Sequence, residues 1–203
     1  MKDVDTKKAL ITLLERINHN DESAALDAYS ELCGAYGNLS RLFAADFDEL
    51  SRNGYLGERG AVLIKLVAAL AARRVTDGFA FGKKHTEAQL LDYLKARFID
   101  LSNETVYCLY FDDEGRTLAC EFIADGTVNY TDVFPRRMLE FAIKHKASCA
   151  IVAHNHPKGR AEASLDDVKT TMNIASVFRD SGRRLLAHYV IVGSEHFKID
   201  VPG

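Results

Sequence analysis

Segments rich in strand-forming residues are confined to the second half of this 203-residue chain. Up to about residue 75 the apolar residues recur at helical spacing, and residues 86–98 repeat that pattern. From Thr105 onward, β-branched and aromatic residues form short runs that alternate with helical segments. The chain must therefore combine an all-helical part with a mixed α/β part, and its length allows one domain of ordinary size plus a small one.

A short helix, a glycine-containing turn and a long helix are predicted between residues 46 and 74. Asp46 with Glu49 three residues later is a capping-box pattern, and the helix that it opens should end at Asn53-Gly54. The apolar stripe of the long helix, residues 61–74, is predicted to comprise Val62, Leu66, Ala69 and Leu70. This outline is typical of a helix-hairpin-helix module, in which turn amides approach a DNA phosphate, and also of a plain helical bundle.

The charge of the chain gives no general attraction to nucleic acid. The sequence carries 26 Lys and Arg against 29 Asp and Glu, a net charge of −3, and its first 80 residues hold 10 Lys and Arg against 12 Asp and Glu. Binding to polyphosphate rests on clustered cations and counterion release, which this balance does not provide. Charge therefore favours the helical bundle, while the glycine turn keeps a DNA-binding module open.

Cysteine usage and the lengths of the apolar runs indicate a cytoplasmic protein. The cysteines show no C-x-x-C pair, so they predict buried, reduced thiols rather than disulfides or a cysteine-built zinc site. They are Cys33, Cys108, Cys120 and Cys149. The N-terminus lacks an apolar signal core, and the longest apolar run, residues 61–72, is interrupted by Lys65 and is shorter than the ~20 residues that span a bilayer. We expect no membrane segment, and the sequence predicts no particular oligomeric state.

The mixed part is predicted to have the order ββαβαβ. Residues 105–111 and 117–123 form a hairpin around a turn at 112–115, and a helix over 135–146 leads into a buried strand at 147–153. A helix over 164–180 and a strand over 185–192 complete the order. The apolar stripe of the helix over 164–180 is predicted to comprise Leu165, Val168, Met172, Ala175 and Phe178.

The segment that carries chemistry follows the buried strand. Residues two apart on a strand point to the same side, so His154 and His156 can present both imidazoles to one ion while Asn155 faces away. The loop over 157–163, with Gly159 as its flexible point, returns the chain so that Asp167 in the next helix faces the histidines. Two histidines and a carboxylate leave the fourth position of a hydrolytic zinc ion open.

The same residues also have structural interpretations. A lone H-x-H pair on a strand is commonly a surface or core feature, and Ser164-x-x-Asp167 is a variant of the helix capping box. Capping places Asp167 in the first helical turn, which is where a metal ligand facing the histidines would be needed. The capping and metal-binding interpretations are therefore compatible.

The string H-x-H-P-x(6)-S-x-x-D resembles the JAMM motif of MPN-domain metalloproteases, and its setting resembles the bacterial RadC (UPF0758) branch of that family. The likeness extends over residues 105–193 and more loosely over 35–74 in the helical part. The resemblance also rests on three other segments: the strand end at Gly126-Thr127, the string Val133-Phe134-Pro135-Arg136, and the segment Leu185 to Gly193.

The resemblance implies a helix-hairpin-helix-like module over residues 1–78, a linker and helix over 79–100, and a mixed α/β MPN domain of cytidine-deaminase-like fold over 101–203. It implies a Zn²⁺ ion on His154, His156 and Asp167. It also implies a catalytic glutamate in the strand before Gly126, where Glu121 stands, with Glu114 the weaker choice because it lies in a turn. Glu121 would be the general base, and Ser164 would donate to the oxyanion.

Three departures from the branch bear on function: Lys158 replaces a usual Ser, Arg137 a usual Glu, and Ala187 a usual Asp before His188. Losing that Asp could remove a hydrogen-bond partner that orients the metal ligands. Such partners change metal affinity or activity by roughly 10–100-fold. The first hypothesis is a zinc hydrolase that cleaves a peptide or isopeptide bond in a peptide or protein substrate. The second is a DNA-repair-associated accessory protein that binds DNA through its helical module. A metal-binding protein without turnover is the third.

Overall fold

The computed structural model describes residues 4–99, 101, 103–126, 130–157 and 159–201. The chain divides into two compact units, residues 1–74 and 75–203. This division falls four residues before the predicted end of the helical module at residue 78.

The first unit is helical, as its apolar periodicity predicts. Its helices are α1 (Val4–Ile17), α2 (Glu22–Tyr36), α3 (Leu39–Ala44), α4 (Phe47–Arg52) and α5 (Gly57–Gly78), the last of which ends in the second unit. Leu14, Leu32, Leu42, Leu50 and Ile64 are fully buried at the centre of this unit. One leucine or isoleucine from each helix therefore closes a common core.

The turn between α4 and α5 is held by Asn53, which ends α4 as predicted. The Asn53 side-chain oxygen accepts from the amides of Tyr55 and Leu56, and its carbonyl accepts from Gly57 at 3.0 Å. Gly57 has φ +55°, a conformation that favours glycine. The predicted capping box at Asp46 is wrong, because its side chain makes no capping hydrogen bond. Three turn amides are engaged within the turn and are not presented to a phosphate.

The predicted helix over residues 61–74 is present within α5, but the apolar residues that predicted it do not face the core. Val62 and Leu66 are each 51% exposed and Leu70 is 60% exposed, whereas Ala61, Ile64 and Ala68 are buried. The helix has apolar residues on two sides. Their spacing predicts a helix but does not show which of the two sides packs against the core.

The second unit contains α6 (Glu87–Phe98), α7 (Tyr130–Lys144), α8 (Leu165–Asp180) and the strands β1 (Thr105–Phe111), β2 (Thr117–Asp125), β3 (Cys149–Asn155), β4 (Arg184–Val192) and β5 (Glu195–Ile199). Within the described residues the strands form one sheet in the order β2-β1-β3-β4-β5. β3 and β4 are parallel, and the other neighbouring pairs are antiparallel. The mixed α/β architecture is therefore as predicted.

Helices cover both faces of this sheet. Ala150 and Val152 pack in a cluster that includes residues of α7 and α8, while Ile151 and Ala153 pack on the opposite face with residues of α6. β3 lies in the middle of the sheet, which explains why all seven of its residues are buried and why its first five residues are continuously apolar. Its carboxyl end is the place where the candidate site lies.

Several boundaries differ from the prediction. α7 begins at Tyr130, so Pro135 lies inside it instead of starting it, and β5 was not predicted. The predicted stripe of α8 is partly wrong: Leu165 is 81% exposed and Met172 is exposed, whereas Thr171 and Ile174 are buried with Ala175 and Phe178.

The four cysteines are free, as predicted. Cys108 and Cys149 are buried, while Cys33 and Cys120 are half-buried. None of the helices in the described part of the chain combines the length and the hydrophobicity that a membrane span requires.

Candidate metal centre

The two histidines stand together at the carboxyl end of β3. Their ring centroids are 4.8 Å apart and their Nε2 atoms are 2.9 Å apart. His154 is buried and His156 is half-buried, so the pair faces an opening and is not enclosed in the core. The predicted presentation of both imidazoles to one side is confirmed.

Asp167 reaches the histidines from the first turn of α8. Its Oδ1 lies 3.2 Å from Nε2 of His154, and its Oδ2 lies 3.7 Å from Nε2 of His156. Nitrogen and oxygen ligands of a tetrahedral zinc ion stand about 3.3 Å apart, which follows from bond lengths of about 2.0–2.1 Å. The separations of His154 Nε2 from His156 Nε2 and from Asp167 Oδ1, 2.9 and 3.2 Å, are close to that value, and two imidazoles with a carboxylate are donors that suit a zinc ion. The closest donor atoms of the three residues all lie within 4.8 Å of one another.

The capping box at the start of α8 is present, and it orients the carboxylate of Asp167. The amide and hydroxyl of Ser164 donate to Oδ2 of Asp167 at 2.8 and 2.7 Å, and the Asp167 amide donates back to the Ser164 hydroxyl at 3.1 Å. One carboxylate oxygen thus serves the cap while the other is directed to His154. Capping and metal binding are compatible here because they use different oxygens.

The hydroxyl proton of Ser164 is therefore engaged with Asp167. Donation to an oxyanion, the role that the family resemblance implies, would require this hydroxyl to rotate away from the carboxylate.

Burial and hydrogen bonds act in opposite directions on Asp167. Burial raises the pKa of this carboxyl, but the hydrogen bonds and charge interactions with His154 and Ser164 outweigh it and hold the pKa well below its usual range. Asp167 is therefore ionised over the whole neutral range, which a metal ligand requires.

Gly159 brings the loop backbone close to His156. A Cβ at residue 159 would stand 3.0 Å from Cβ of His156 and 3.5 Å from its Nδ1, and the Gly159 amide donates to the His156 carbonyl at 3.2 Å. Close approach, and not the flexibility that the sequence suggested, is the physical reason for glycine at this position.

Glu121 lies away from the histidines. Glu121 on β2 pairs with Cys108 on β1, and Cys108 pairs with Val152 on β3. Glu121 therefore stands two strands away from β3, at the level of Val152, which is two residues before His154. These offsets correspond to about 10 Å across the sheet and about 7 Å along it. The prediction that Glu121 serves as general base is therefore not supported by its position.

The carboxylate of Glu121 contacts the end of α7 instead. It accepts from His145 at 2.6 Å and from Lys144 at 3.3 Å. Burial raises the pKa of Glu121, but these two partners outweigh it and lower the pKa overall. Glu114, the other candidate, pairs with Arg116 in the hairpin turn.

Glu104 is an acidic residue directly before β1, and the sequence-based prediction did not include it. Val106 pairs with His154 in the antiparallel ladder, and continuing this register for two residues beyond the paired strands would set Glu104 opposite His156. The signal was an acidic residue directly before β1, but using it requires knowing that β1 pairs with β3.

Asn155 fixes the backbone on both sides of Glu104. Its Oδ1 accepts from the Thr105 amide at 2.7 Å, and its Nδ2 donates to the Asn103 carbonyl at 3.1 Å. Asn155 faces away from the ion as predicted. Its side chain ties the start of β1 to the end of β3.

Two of the three departures from the family pattern, Ala187 and Arg137, do not contact this group. Ala187 is buried on the face covered by α6, opposite to the face of His188, so an acid at residue 187 would not support the histidines. The expected loss of support at that position is therefore wrong. Arg137 is exposed and lies over the rings of Phe122 and Phe141. Lys158 and Thr127, which the resemblance also used, lie outside the described residues.

Comparison with known proteins places these residues in a recognised domain. A model of a family described as RadC-like JAB domain matches residues 85–200, more than half of the chain. A UPF0758 protein of Cupriavidus necator is 31% identical over 187 residues, which cover 92% of this chain and 82% of that protein. A UPF0758 protein of Cellvibrio japonicus is 31% identical over 173 residues, which cover 85% of this chain and 77% of that protein. The matched range includes Glu104, the two histidines and Asp167.

Proposed function

This chain belongs to the RadC-like JAB domain family, and we propose that it is a zinc-dependent hydrolase of the JAMM type that cleaves a peptide or isopeptide bond. The observation that carries the proposal is the convergence of His154, His156 and Asp167, whose donor atoms come from two elements and have the spacing of zinc ligands. Three protein ligands are typical of catalytic zinc, because a fourth position stays open for water.

Each ligand in the proposal is held by the protein before any substrate arrives. His154 and His156 are fixed by the end of a central strand, and Asp167 is fixed by the helix cap of Ser164. Bound zinc would act as a Lewis acid and lower the pKa of its water toward about 7.

Glu104 is the general base of the proposal in place of Glu121. Its carboxylate accepts the proton of the attacking water and later returns it to the nitrogen of the leaving amine. The support for this assignment is its level opposite His156 and the two hydrogen bonds by which Asn155 fixes its neighbours. Asn155 is correspondingly a positioning residue.

The metal part of the proposal is tested by metal analysis of protein purified without chelator. We expect about one zinc per chain, with the metal lost in His154→Ala and in Asp167→Ala. Wild-type protein that holds no zinc and takes up none when zinc is supplied would overturn the proposal.

The catalytic part is tested with glutamate variants on a panel of fluorogenic peptides and isopeptides. Glu104→Gln should keep its zinc and lose cleavage, because the amide cannot accept the proton. Glu121→Gln is the matched control and should keep both zinc and cleavage. Cleavage that survives in Glu104→Gln and disappears in Glu121→Gln would restore Glu121 as the base.

A further inference from the structure

A buried chain of hydrogen bonds runs from the backbone of Asp167 to the ring of His154. The hydroxyl of Thr171 lies 2.6 Å from the Asp167 carbonyl oxygen and 2.6 Å from Nδ1 of His188. Nε2 of His188 lies 2.8 Å from Nδ1 of His154. Thr171 and His188, which sequence analysis did not assign to the site, thus connect two of the metal-ligand candidates behind the ion position.

The direction of every bond in this chain follows from its first acceptor. A carbonyl oxygen can only accept, so the single hydroxyl proton of Thr171 is donated to Asp167. The Thr171 oxygen must then accept from Nδ1 of His188, which places a proton on that nitrogen. A neutral imidazole carries one proton, so Nε2 of His188 is an acceptor and Nδ1 of His154 donates to it.

The surroundings of His188 favour its neutral form. The residue is 3% exposed, and the ring nitrogens contact a hydroxyl and another imidazole but no carboxylate.

The consequence falls on the other nitrogen of His154. Because Nδ1 carries the proton that it donates to His188, Nε2 is the atom of His154 that is left for an ion, which would replace the contact of Nε2 with Asp167. This atom lies 3.2 Å from Oδ1 of Asp167 and 2.9 Å from Nε2 of His156. The ring is thereby fixed both in tautomer and in orientation before an ion arrives.

We propose that His188 and Thr171 are positioning residues that hold Nε2 of His154 ready for metal and so set the metal affinity of the centre. The inference rests on the proposed metal site and adds to it the part of the protein that tunes binding. Because the hydrogen-bond chain starts at the carbonyl of Asp167, it also links the first turn of α8 to β4 and β3. Asp167 is then held at two points, by the helix cap at Oδ2 and by the hydrogen-bond chain at its carbonyl oxygen.

The experiment measures zinc affinity by competition with a chromophoric chelator, together with the thermal stability of each metal-free variant. His188→Leu removes the acceptor and should weaken zinc binding about 10–100-fold. His188→Gln offers a carbonyl oxygen near the position of Nε2 and should restore most of the affinity. Thr171→Val keeps the volume but removes the hydroxyl, and should weaken binding in the same direction, whereas Thr171→Ser should not.

Thr117→Val is the matched control, because Thr117 is also fully buried and its hydroxyl also donates to a backbone carbonyl, that of Lys83 at 3.1 Å. It should lose stability without losing zinc affinity. If His188→Leu does not fold, the comparison of Thr171→Val with Thr171→Ser decides the question.

If His188→Leu or Thr171→Val binds zinc as tightly as wild type, the proposed role of the hydrogen-bond chain is wrong, while the proposed metal site still stands. An affinity loss in Thr117→Val as large as that in Thr171→Val would lead to the same conclusion, because it would reduce the effect to general destabilisation. If the wild-type protein takes up no zinc, both the proposed function and the proposed role of the hydrogen-bond chain are wrong.

Discussion

Replacing Asn155 by alanine should destabilise the second unit by about 2–4 kcal/mol. Asn155 is buried and makes two hydrogen bonds to the strand that begins beside it, one to the amide of Thr105 and one to the carbonyl of Asn103. Alanine leaves the amide of buried Thr105 without its partner, at a cost of about 1–3 kcal/mol, and removes a second bond worth about 1 kcal/mol. The Asn103 carbonyl belongs to an exposed residue, so water can replace its lost partner.

The expected change in melting temperature follows from the size of the unit. About 130 residues lie in the second unit, and an unfolding entropy of about 2.1 cal/mol/K per residue gives about 4 °C per kcal/mol. Asn155→Ala should therefore lower the Tm of this unit by about 8–15 °C in differential scanning calorimetry.

Asn103→Ala is the matched control for this measurement. It removes the same type of side chain from the exposed end of the same interaction and leaves the accepting carbonyl in place, so it should stay within about 0.5 kcal/mol of wild type. A fall of less than about 2 °C in Asn155→Ala, or an equal fall in Asn103→Ala, would refute the claim that Asn155 ties β1 to β3.

Three further outcomes are expected. Gly159→Ala should weaken zinc binding in a chelator competition, because its Cβ would stand 3.0 Å from Cβ of His156, whereas Gly54→Ala, where a Cβ meets nothing within 4 Å, should not. Glu121→Gln should reduce stability to urea near pH 7, and the difference from wild type should shrink as the pH falls below about 4.5. A carboxylate whose pKa is lowered in the folded state stabilises the protein above its unfolded pKa and loses that contribution as the pH falls through the folded value. Binding to single-stranded or branched DNA should be weak without a steep salt dependence, because the turn amides at residues 55–57 are engaged by Asn53; a slope of several counterions would contradict this.

Much of the fold could be predicted because its signals are local. The hairpin around residues 112–115, the buried strand before His154 and the helix opened by Ser164 each rest on a pattern within about ten residues, and the structure has all three. The buried faces of α5 and α8 could not be predicted as reliably, since both helices are apolar on more than one side. Which side is buried depends on the neighbouring helices and strands.

The candidate site divides in the same way. The side chains of His154 and His156 point to the same side because successive side chains along a strand alternate between the two faces of the sheet. Ser164 and Asp167 form a helix cap because a capping box joins residues that are three apart. No local pattern assigns a role in the site to Glu104 or to His188, although the family resemblance includes the segment around His188. Their proximity to the histidines depends on the pairing of β1 and β4 with β3, and the separations along the chain are 50 and 34 residues.

The sequence alone determined the mixed α/β class and the three metal-ligand candidates, because each rests on periodicity or spacing over a short stretch of chain. The tertiary structure alone decided that Glu121 lies away from the histidines and that His188 and Thr171 lie beside His154. The strand register sets Glu121 about 7 Å short of the level of His154 along the strands and about 10 Å away across the sheet, and no pattern within one strand predicts how that strand pairs with the next.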